Sequence, residues 1–425
     1  MSLRLQCIKT LKKILEENVF FNTLKSEFKV QDTAFANKLI LTALRRKTAV
    51  DKLLSSILTK KIPNKDKILK YVLLAGSIEI LYMDTPDYAA INEYVEISKK
   101  LTGKFSSSMV NAVLHKVALH KDDMKDKALF PKNFFEILKE DYTKSEISSM
   151  QQMLLIEPSI DISLKENPDL WAKKLNGILF ENGSIRLSSM SSNLTFIDGY
   201  NEGSWWVQDL AASLPICFFE KLKDKKVLDV CAAPGGKTAQ LLSKGALVTA
   251  LDISAERLKT LNENITRLKL EKNLTTICAD AEEYLDTSSE LFDFILLDAP
   301  CSATGTFRKH PEVLHFKTLN DINKQAQIQK TLLEKSSHHL APNGQLLYCT
   351  CSISKTEGEK QISEFLNSHQ NFKLTPLSLK SLKQYNAKII DKNVIDNQVL
   401  RTLPYHNKNE GGMDSFFAAC LTHKN

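Results

Sequence analysis

The sequence lacks several features that would assign its class at once. No uncharged apolar run approaches the roughly 20 residues that a membrane helix needs, and the first residues lack the apolar core of a signal peptide. The eight cysteines are scattered without the spacing of a secreted disulfide framework, and no His/Cys cluster with metal-ligand spacing accompanies them. Internal repeats and low-complexity tracts are also missing. We therefore expect a reduced, cytoplasmic protein with no membrane segment and no metal.

The composition is that of a globular protein with an uneven distribution of charge. The 425 residues are 43% hydrophobic and 25% charged, which excludes disorder along the whole chain and suggests several domains. Residues 1–130 contain 23 Lys and Arg against 14 Asp and Glu, whereas the remainder contains 34 against 36. This basic first third indicates a negatively charged partner such as nucleic acid or an acidic protein face. The alternative is a lysine-rich surface that is merely solvated.

Four stretches of the chain differ in their sequence pattern. Residues 1–125 place apolar side chains at helical spacing, which predicts an all-helical domain. Residues 126–150 are charged and contain Pro131, and they are predicted to be a linker. Residues 151–205 have short alternating runs and Asn-Pro and Asn-Gly turns, which are typical of a small α+β subdomain. Residues 206–425 alternate apolar runs of strand length with helical stretches, which predicts an α/β domain with a doubly wound, mainly parallel sheet.

The first clear strand of the α/β domain, which begins at Lys226, leads into a turn rich in small residues. Glycines at a strand-to-helix turn allow the backbone to approach a ligand closely. The sequence matches neither the nucleotide P-loop nor G-x-G-x-x-G. We expect this turn to contact a cofactor through Cys231, Ala232, Ala233, Pro234, Gly235, Gly236 and Lys237.

Aspartates end the next three strands, at positions 252, 280 and 298. Asp252 could accept hydrogen bonds from ribose hydroxyls, and Asp280 could accept one from an adenine amino group. Each aspartate could instead cap the helix that follows it. Because the carboxyl ends of parallel strands meet at one edge of the sheet, three aspartates and a glycine turn in series favour a nucleoside cofactor.

Two cysteines follow strands at the same predicted edge. Cys301 lies in Asp-Ala-Pro-Cys-Ser after the strand that ends at Asp298, and Cys351 lies in Thr-Cys-Ser after the next strand. A single buried cysteine is usually a small hydrophobic residue. Two thiols beside a cofactor crevice favour nucleophilic chemistry.

These motifs together resemble a known family. CAAPGGKT, FDFILLDAPCSATGTFRKHPE and YCTCSISKTEGE resemble the motifs of RNA cytosine-C5 methyltransferases of the Fmu/Sun type. TPDYAAINEYVEISKK and SSMVNAVLHKV are similar to the helical fold of the antitermination factor NusB. Their order resembles the RsmB group, which acts on bacterial 16S ribosomal RNA. The chain departs from the family pattern in two places, since PSIDIS lacks an arginine after Pro158, and Asp414-Ser415 replaces Asp-Gly.

The resemblance implies a fold and a mechanism. The fold would be a NusB-like N-terminal domain, a small RRM-like subdomain and a Rossmann-like methyltransferase domain that uses S-adenosylmethionine. Cys351 would be the nucleophile that adds to carbon 6 of cytosine, and Cys301 would help to release the product. Asp298 would hydrogen-bond the cytosine edge or the cofactor's amino group. The implied substrate is 16S ribosomal RNA, and a monomer is expected.

The basic N-terminal module is predicted to anchor that RNA through phosphate contacts. The candidate contacts are Arg45, Arg46, Lys47, Arg308 and Lys309. A chain that starts near Lys132 is predicted to keep cofactor binding, because the glycine turn and the aspartates all lie beyond it. The alternatives are a transfer-RNA cytosine-C5 methyltransferase, a non-catalytic RNA-binding assembly factor and, less compatible with the Thr-Cys motif, a DNA methyltransferase.

Overall fold

The computed structural model describes residues 2–187, 194–219, 221–379, 385 and 387–424. The chain divides into two compact units, and each is built from two stretches of chain. The first unit comprises Met1–Glu157 and Phe307–Thr318, and the second comprises Pro158–Thr306 and Leu319–Asn425. No helix in the described part of the chain is long and apolar enough to span a membrane.

The elements are numbered along the chain. The helices are α1 (Leu3–Glu17), α2 (Phe21–Leu24), α3 (Thr33–Ile57), α4 (Ile68–Tyr82), α5 (Asp87–Thr102), α6 (Lys104–Ala118), α7 (Lys121–Met124), α8 (Lys132–Leu138), α9 (Lys144–Gln152), α10 (Pro168–Lys174), α11 (Leu210–Cys217), α12 (Gly236–Ser243), α13 (Ala255–Arg267), α14 (Ala281–Thr287), α15 (Val313–Phe316), α16 (Leu319–His338) and α17 (Glu359–Ser368). The strands are β1 (Ile160–Leu164), β2 (Ile178–Leu179), β3 (Ile185–Leu187), β4 (Trp205–Val207), β5 (Lys226–Val230), β6 (Leu247–Asp252), β7 (Leu274–Cys278), β8 (Phe292–Asp298), β9 (Leu340–Thr350), β10 (Phe372–Thr375), β11 (Ile395–Asp396), β12 (Val399–Thr402) and β13 (Phe416–His423).

The first unit is helical, as its sequence pattern predicts, and α4 lies in its core. This helix is apolar around most of its circumference, and most of its residues are buried. Gly76 allows close packing against α6, because a Cβ atom there would lie only 3.0 Å from Leu114. The buried Glu79 carboxylate accepts hydrogen bonds from the Arg4 guanidinium and from the Tyr94 hydroxyl. This buried acid is therefore satisfied by partners from two other helices.

The prediction of a linker at residues 126–150 is wrong. This stretch contains α8 and the start of α9, and these helices bury Phe134, Ile137, Leu138, Ile147 and Met150. Pro131 precedes the first residue of α8, a place where a proline does not interrupt helical hydrogen bonding. A capping box between Thr143 and Glu146 starts α9. The charged residues that suggested a linker are exposed or half-buried, and they lie on the outer sides of the two helices and in the turns beside them.

The segment 307–318 completes the first unit although it lies far along the chain. Phe307 is fully buried and makes edge contacts with Phe130 and Phe134, at ring-centroid distances of 5.3 and 5.7 Å. The backbone amide of Phe21 donates to the carboxylate of Glu312 at 3.2 Å. Residues separated by 291 positions are therefore in direct contact within this unit.

The second unit begins with a small antiparallel sheet in the order β2-β3-β1-β4. Its fourth strand, β4, crosses the predicted domain boundary at residues 205 and 206. Asp161 of β1 and Arg186 of β3 form a buried two-point ion pair at 2.7 and 2.8 Å. This small sheet lies in the same compact unit as the large sheet.

The described strands of the large sheet follow the order β11-β12-β13-β9-β8-β5-β6-β7, and β10 pairs with β13. The strands β9-β8-β5-β6-β7 are parallel, which confirms the predicted doubly wound core. The chain reverses direction across the sheet between β5 and β8, so a crevice opens there at the carboxyl ends of the strands. The antiparallel strands β10 to β13 were not predicted.

Candidate active site

The glycine turn after β5 forms one wall of the crevice. Cys231 and Gly235 both have positive φ, at 63° and 98°, and α12 begins at the next glycine. Any side chain at position 235 would collide with Leu261, because a Cβ atom would lie 2.8 Å from its Cγ. The buried Asp252 carboxylate accepts from the backbone amides of Ala233 at 3.1 Å and Ser254 at 3.0 Å. Asp252 therefore ties the turn to the end of β6.

A cavity of about 370 Å³ opens at this edge of the sheet. It brings together seven of the predicted site residues, Cys231, Ala233, Asp252, Asp280, Asp298, Cys301 and Cys351. The other predicted turn residues belong to the same loop and helix start but do not line this cavity: Ala232, Pro234, Gly235, Gly236 and Lys237. Asp280 also caps α14, because its carboxylate accepts from the amides of Glu282 and Glu283. For this aspartate, the helix-cap role and a place in the crevice coexist.

Lys237 and Asp298 form an ion pair beside the cavity. The two groups lie 2.8 Å apart, and the Lys237 ammonium also sits 4.6 Å above the ring centre of Phe416. Burial alone would lower the pKa of Lys237, but the Asp298 carboxylate raises it above its ordinary value. Cys351 is close enough to contribute to the same upward shift. A permanent positive charge therefore lies near one of the two thiols.

The two cysteines are in direct contact. The Sγ atoms of Cys301 and Cys351 lie 3.2 Å apart, and both side chains are partly exposed at the cavity. The hydrogen bond with Cys351, together with burial, raises the pKa of Cys301 well above its ordinary value. The pair is therefore arranged so that Cys301 holds a proton next to the sulfur of Cys351.

Asp229, in the middle of β5, is a buried acid that the sequence analysis did not select. Its Oδ2 atom accepts from the Thr238 hydroxyl at 2.6 Å, and its Oδ1 atom has no hydrogen-bond partner among the described residues. Burial raises the pKa of Asp229 from 3.8 to about 7. Its signal in the sequence is an acid inside an otherwise apolar strand, directly before the glycine turn.

We expect Asp229→Asn to flatten the pH dependence of stability. The folded protein favours the protonated acid, so this group stabilises the fold fully below pH 3.8, and that stabilisation is lost as pH rises towards about 7. The loss amounts to about 1.4 kcal/mol per pH unit within this window. The free energy of unfolding, measured by urea unfolding with tryptophan fluorescence, should fall more steeply with rising pH for the wild type than for Asp229→Asn. Asp286→Asn, at an exposed position, is the control, and equal slopes for Asp229→Asn and wild type would contradict the prediction.

Most of the basic residues that were predicted to contact RNA are buried or paired. Arg45 is only 8% exposed, and its guanidinium donates to the carbonyl oxygen of Arg308, which is itself 2% exposed. Arg46 is buried against the Tyr82 ring and donates to backbone carbonyls. Lys47 is paired with Asp51. These groups are occupied by contacts within the first unit, and Lys309 is half-buried there.

An exposed lysine cluster of the first unit lies between the end of α3 and the first turn of α4. Its members are Lys60, Lys61, Lys65, Lys67 and Lys70. Lys67 makes an ion pair with Glu16, and the stretch contains a single acid, Asp66. Sequence reasoning missed the cluster, although its signal is the density of lysines at positions 60–70. In the described residues, no group of three or more His, Cys, Asp or Glu side chains could hold a metal ion.

Comparisons with known proteins agree with the two-part organisation. A family model described as "16S rRNA methyltransferase RsmB/F" matches residues 217–422, and the NusB family model matches residues 1–119. The chain is 32% identical over 364 residues to ribosomal RNA small subunit methyltransferase B of Xanthomonas campestris, covering 82% of each chain. It is 29% identical over 405 residues to the protein of that name from Pasteurella multocida, covering 86% of this chain and 87% of that one. The crystal structure of PH0851 shares the fold, with a TM-score of 0.73 at 24% identity over 92% of this chain and 90% of the other.

Proposed function

The chain belongs to the ribosomal RNA small subunit methyltransferase B family, and from this premise we propose that it methylates carbon 5 of a cytosine in 16S ribosomal RNA through a covalent adduct with Cys351. It is an S-adenosylmethionine-dependent methyltransferase of ribosomal RNA. The observation that carries the finer proposal is the contact between two thiols, 3.2 Å apart, at the cofactor crevice.

The residues around the crevice fit S-adenosylmethionine, which supplies an electrophilic methyl group on a sulfonium sulfur. Cys231 and Ala233 of the glycine turn line the crevice, and Asp252 and Asp280 provide acceptors for hydroxyl and amino groups. The acidic edge also favours a ligand that carries positive charge. We assign Asp252 to the ribose and Asp280 to the adenine side of the cofactor.

Cys351 supplies the covalent step. Carbon 5 of cytosine is a weak nucleophile, and a thiolate that adds to carbon 6 pushes electron density onto carbon 5. Carbon 5 can then accept the methyl group, after which its proton leaves and the bond between carbon 6 and sulfur breaks. The Lys237 ammonium lies close enough to Cys351 for the two groups to interact electrostatically.

Cys301 assists the release of the product, and Asp298 assists the binding of the base or the cofactor. Because Cys301 keeps its proton and touches the sulfur of Cys351, it is placed to return a proton when Cys351 is eliminated. Asp298 accepts a hydrogen bond from Lys237 and lines the crevice, where it can also accept one from the amino group of the base or cofactor. The base must leave its stack to reach these groups, so an unpaired or melted segment of RNA is the substrate.

The first unit supplies affinity for the RNA in this proposal. The lysine cluster at positions 60–70 is exposed, and it replaces the buried Arg45 and Arg46 as the group that contacts phosphates. Phosphate contacts carry no sequence information and weaken with salt. The second unit then selects the base through the crevice.

The proposal predicts methylation of one class of RNA. Purified protein, small-subunit ribosomal RNA and S-adenosylmethionine with a labelled methyl group should give bisulfite-resistant cytosine in that RNA. Transfer RNA treated in parallel should stay unlabelled. Label in transfer RNA alone would assign the alternative substrate. Label at a position other than carbon 5 would contradict the cysteine mechanism.

A further inference from the structure

A buried carboxylate lies directly beneath the two cysteine loops. Glu357 is 0% exposed and ends the 3-10 turn Lys355–Glu357, six residues after Cys351. It does not line the crevice, so it cannot touch the cofactor there. The role of Glu357 must therefore follow from the groups that hydrogen-bond its carboxylate.

Four donors converge on the Glu357 carboxylate. Oε1 accepts from the backbone amide of Ser302 at 2.8 Å and from the side-chain amide of Gln329 at 2.9 Å. Oε2 accepts from the hydroxyls of Ser302 and Ser352, both at 2.5 Å. Ser302 directly follows Cys301, and Ser352 directly follows Cys351. One carboxylate therefore holds the chain immediately beside each cysteine.

Other bonds fix this arrangement to the sheet. The backbone carbonyl of Glu357 accepts from the hydroxyls of Tyr348 and Thr350, both on β9. The Gly305 amide donates to the carbonyl of Cys351 at 2.9 Å, and a Cβ atom at position 305 would lie 2.6 Å from that oxygen. The Thr304 hydroxyl also lies within hydrogen-bond distance of the Ser302 and Ser352 hydroxyls, at 2.9 and 3.2 Å, so the two loops share one network of hydroxyl groups in which Glu357 supplies the carboxylate.

Burying a carboxylate costs the free energy of its hydration. All four donors are neutral groups, and a carboxylate buried among neutral groups relies on its hydrogen bonds to offset lost hydration. Replacing buried polar groups by apolar ones of similar shape is often neutral or stabilising. Stability alone therefore does not account for this carboxylate, whereas a requirement for fixed geometry does.

We propose that Glu357 is a positioning residue that sets the distance between the Cys301 and Cys351 thiols. This inference deepens the proposed function, since it explains how both sulfurs are kept at the crevice. The negative charge of Glu357 also contributes, after the Cys351 hydrogen bond and burial, to raising the pKa of Cys301. The same group therefore favours the protonated thiol that the product-release step needs.

The first test measures thiol geometry without any RNA. Diamide oxidises two neighbouring thiols to a disulfide; the two thiol protons and two electrons pass to diamide, which becomes the hydrazine. Peptide mapping of the full-length protein should show rapid closure of the Cys301–Cys351 link in the wild type. Glu357→Gln should slow closure about tenfold, because its amide nitrogen faces donors and the two loops lose the carboxylate that they share. Glu364→Gln, on the exposed face of α17, is the matched control and should close at the wild-type rate.

The second test measures methyl transfer. Glu357→Gln should lower kcat by about 10- to 100-fold, since displacing a reacting group by about 1 Å costs that much. The KM for S-adenosylmethionine should not change, because Asp252 and the glycine turn are untouched. Ser352→Ala, which removes one of the two serine anchors, should give a smaller defect in both tests and serves if Glu357→Gln does not fold.

The outcomes separate this inference from the proposed function. If the wild type methylates no RNA but Glu357→Gln still slows diamide closure, positioning holds and the proposed function fails. If Glu357→Gln closes at the wild-type rate, or loses activity only in proportion to its loss of folded protein, Glu357 is merely structural and the inference is overturned.

Discussion

Cys351→Ala is expected to abolish methyl transfer while leaving cofactor affinity unchanged. Removing a nucleophile typically costs on the order of 10⁴-fold or more in rate. The thiol acts on the base, whereas the glycine turn and Asp252 hold the cofactor. Single-turnover transfer and a calorimetric titration with S-adenosylmethionine measure the two quantities separately. Cys278→Ala removes an exposed cysteine outside the crevice and should behave like the wild type.

Cys301→Ala should still transfer the methyl group but should release the product slowly. The Cys351 thiolate can still add to carbon 6 and the methyl group can still be transferred, but the contact at 3.2 Å that returns a proton is gone. A covalent protein–RNA adduct that survives denaturation should accumulate. An adduct in Cys351→Ala but not in Cys301→Ala would reverse the two assignments, and substantial turnover by Cys351→Ala would exclude it as the nucleophile.

Phe307→Ala is expected to destabilise the first unit by about 3–5 kcal/mol, the usual cost of deleting a buried aromatic side chain. The substitution empties the space that Phe307 fills between Phe130 and Phe134. Far-UV circular dichroism reports on the helices of both units, whereas all three tryptophans, at positions 171, 205 and 206, belong to the second unit. Urea unfolding should therefore show a circular dichroism transition that shifts while the tryptophan fluorescence transition stays in place.

Phe135→Ala is the matched control for this prediction, because Phe135 is adjacent to the cluster in sequence but partly exposed. It should cost much less than Phe307→Ala. A circular dichroism transition that is unchanged by Phe307→Ala would show that the segment 307–318 does not belong to the first unit.

The same arrangement changes the expectation for a chain that starts near Lys132. Such a chain would lack Phe21, Arg45 and Phe130, so the segment 307–318 would be left without most of its partners, and we expect it to aggregate.

The parallel core and its crevice were predictable because their signals are local. Each strand that forms the crevice has an apolar run followed by an aspartate, cysteine or glycine turn within a few residues, and topology then places those ends together. Asp252, Asp298, Cys301 and Cys351 meet at one cavity for this reason. The chain order of strand and helix was sufficient to infer this without knowing any distance.

The errors arose where the deciding contact is distant in sequence. Arg45 looks like a surface cation in its own helix, and its burial depends on a carbonyl 263 residues away. Glu357 lies within a motif that the sequence analysis quoted, but its role depends on Ser302, 55 residues away. The segment 126–150 is charged enough to suggest a linker, and its burial of Phe134 depends on Phe307. Local composition cannot report partners of this kind.

Because the first unit consists of two separate chain segments, the order of synthesis on the ribosome limits when this unit can fold. When Glu157 has been made, the helical unit still lacks Phe307–Thr318, and the whole of Pro158–Thr306 is synthesised before that piece exists. At about 5–20 residues per second, this interval lasts on the order of 10–30 s. During that time Phe130 and Phe134 lack their contacts with Phe307, so part of their aromatic surface is left uncovered. The N-terminal unit is thus the first to begin translation, but it cannot finish folding before Thr318 has been made.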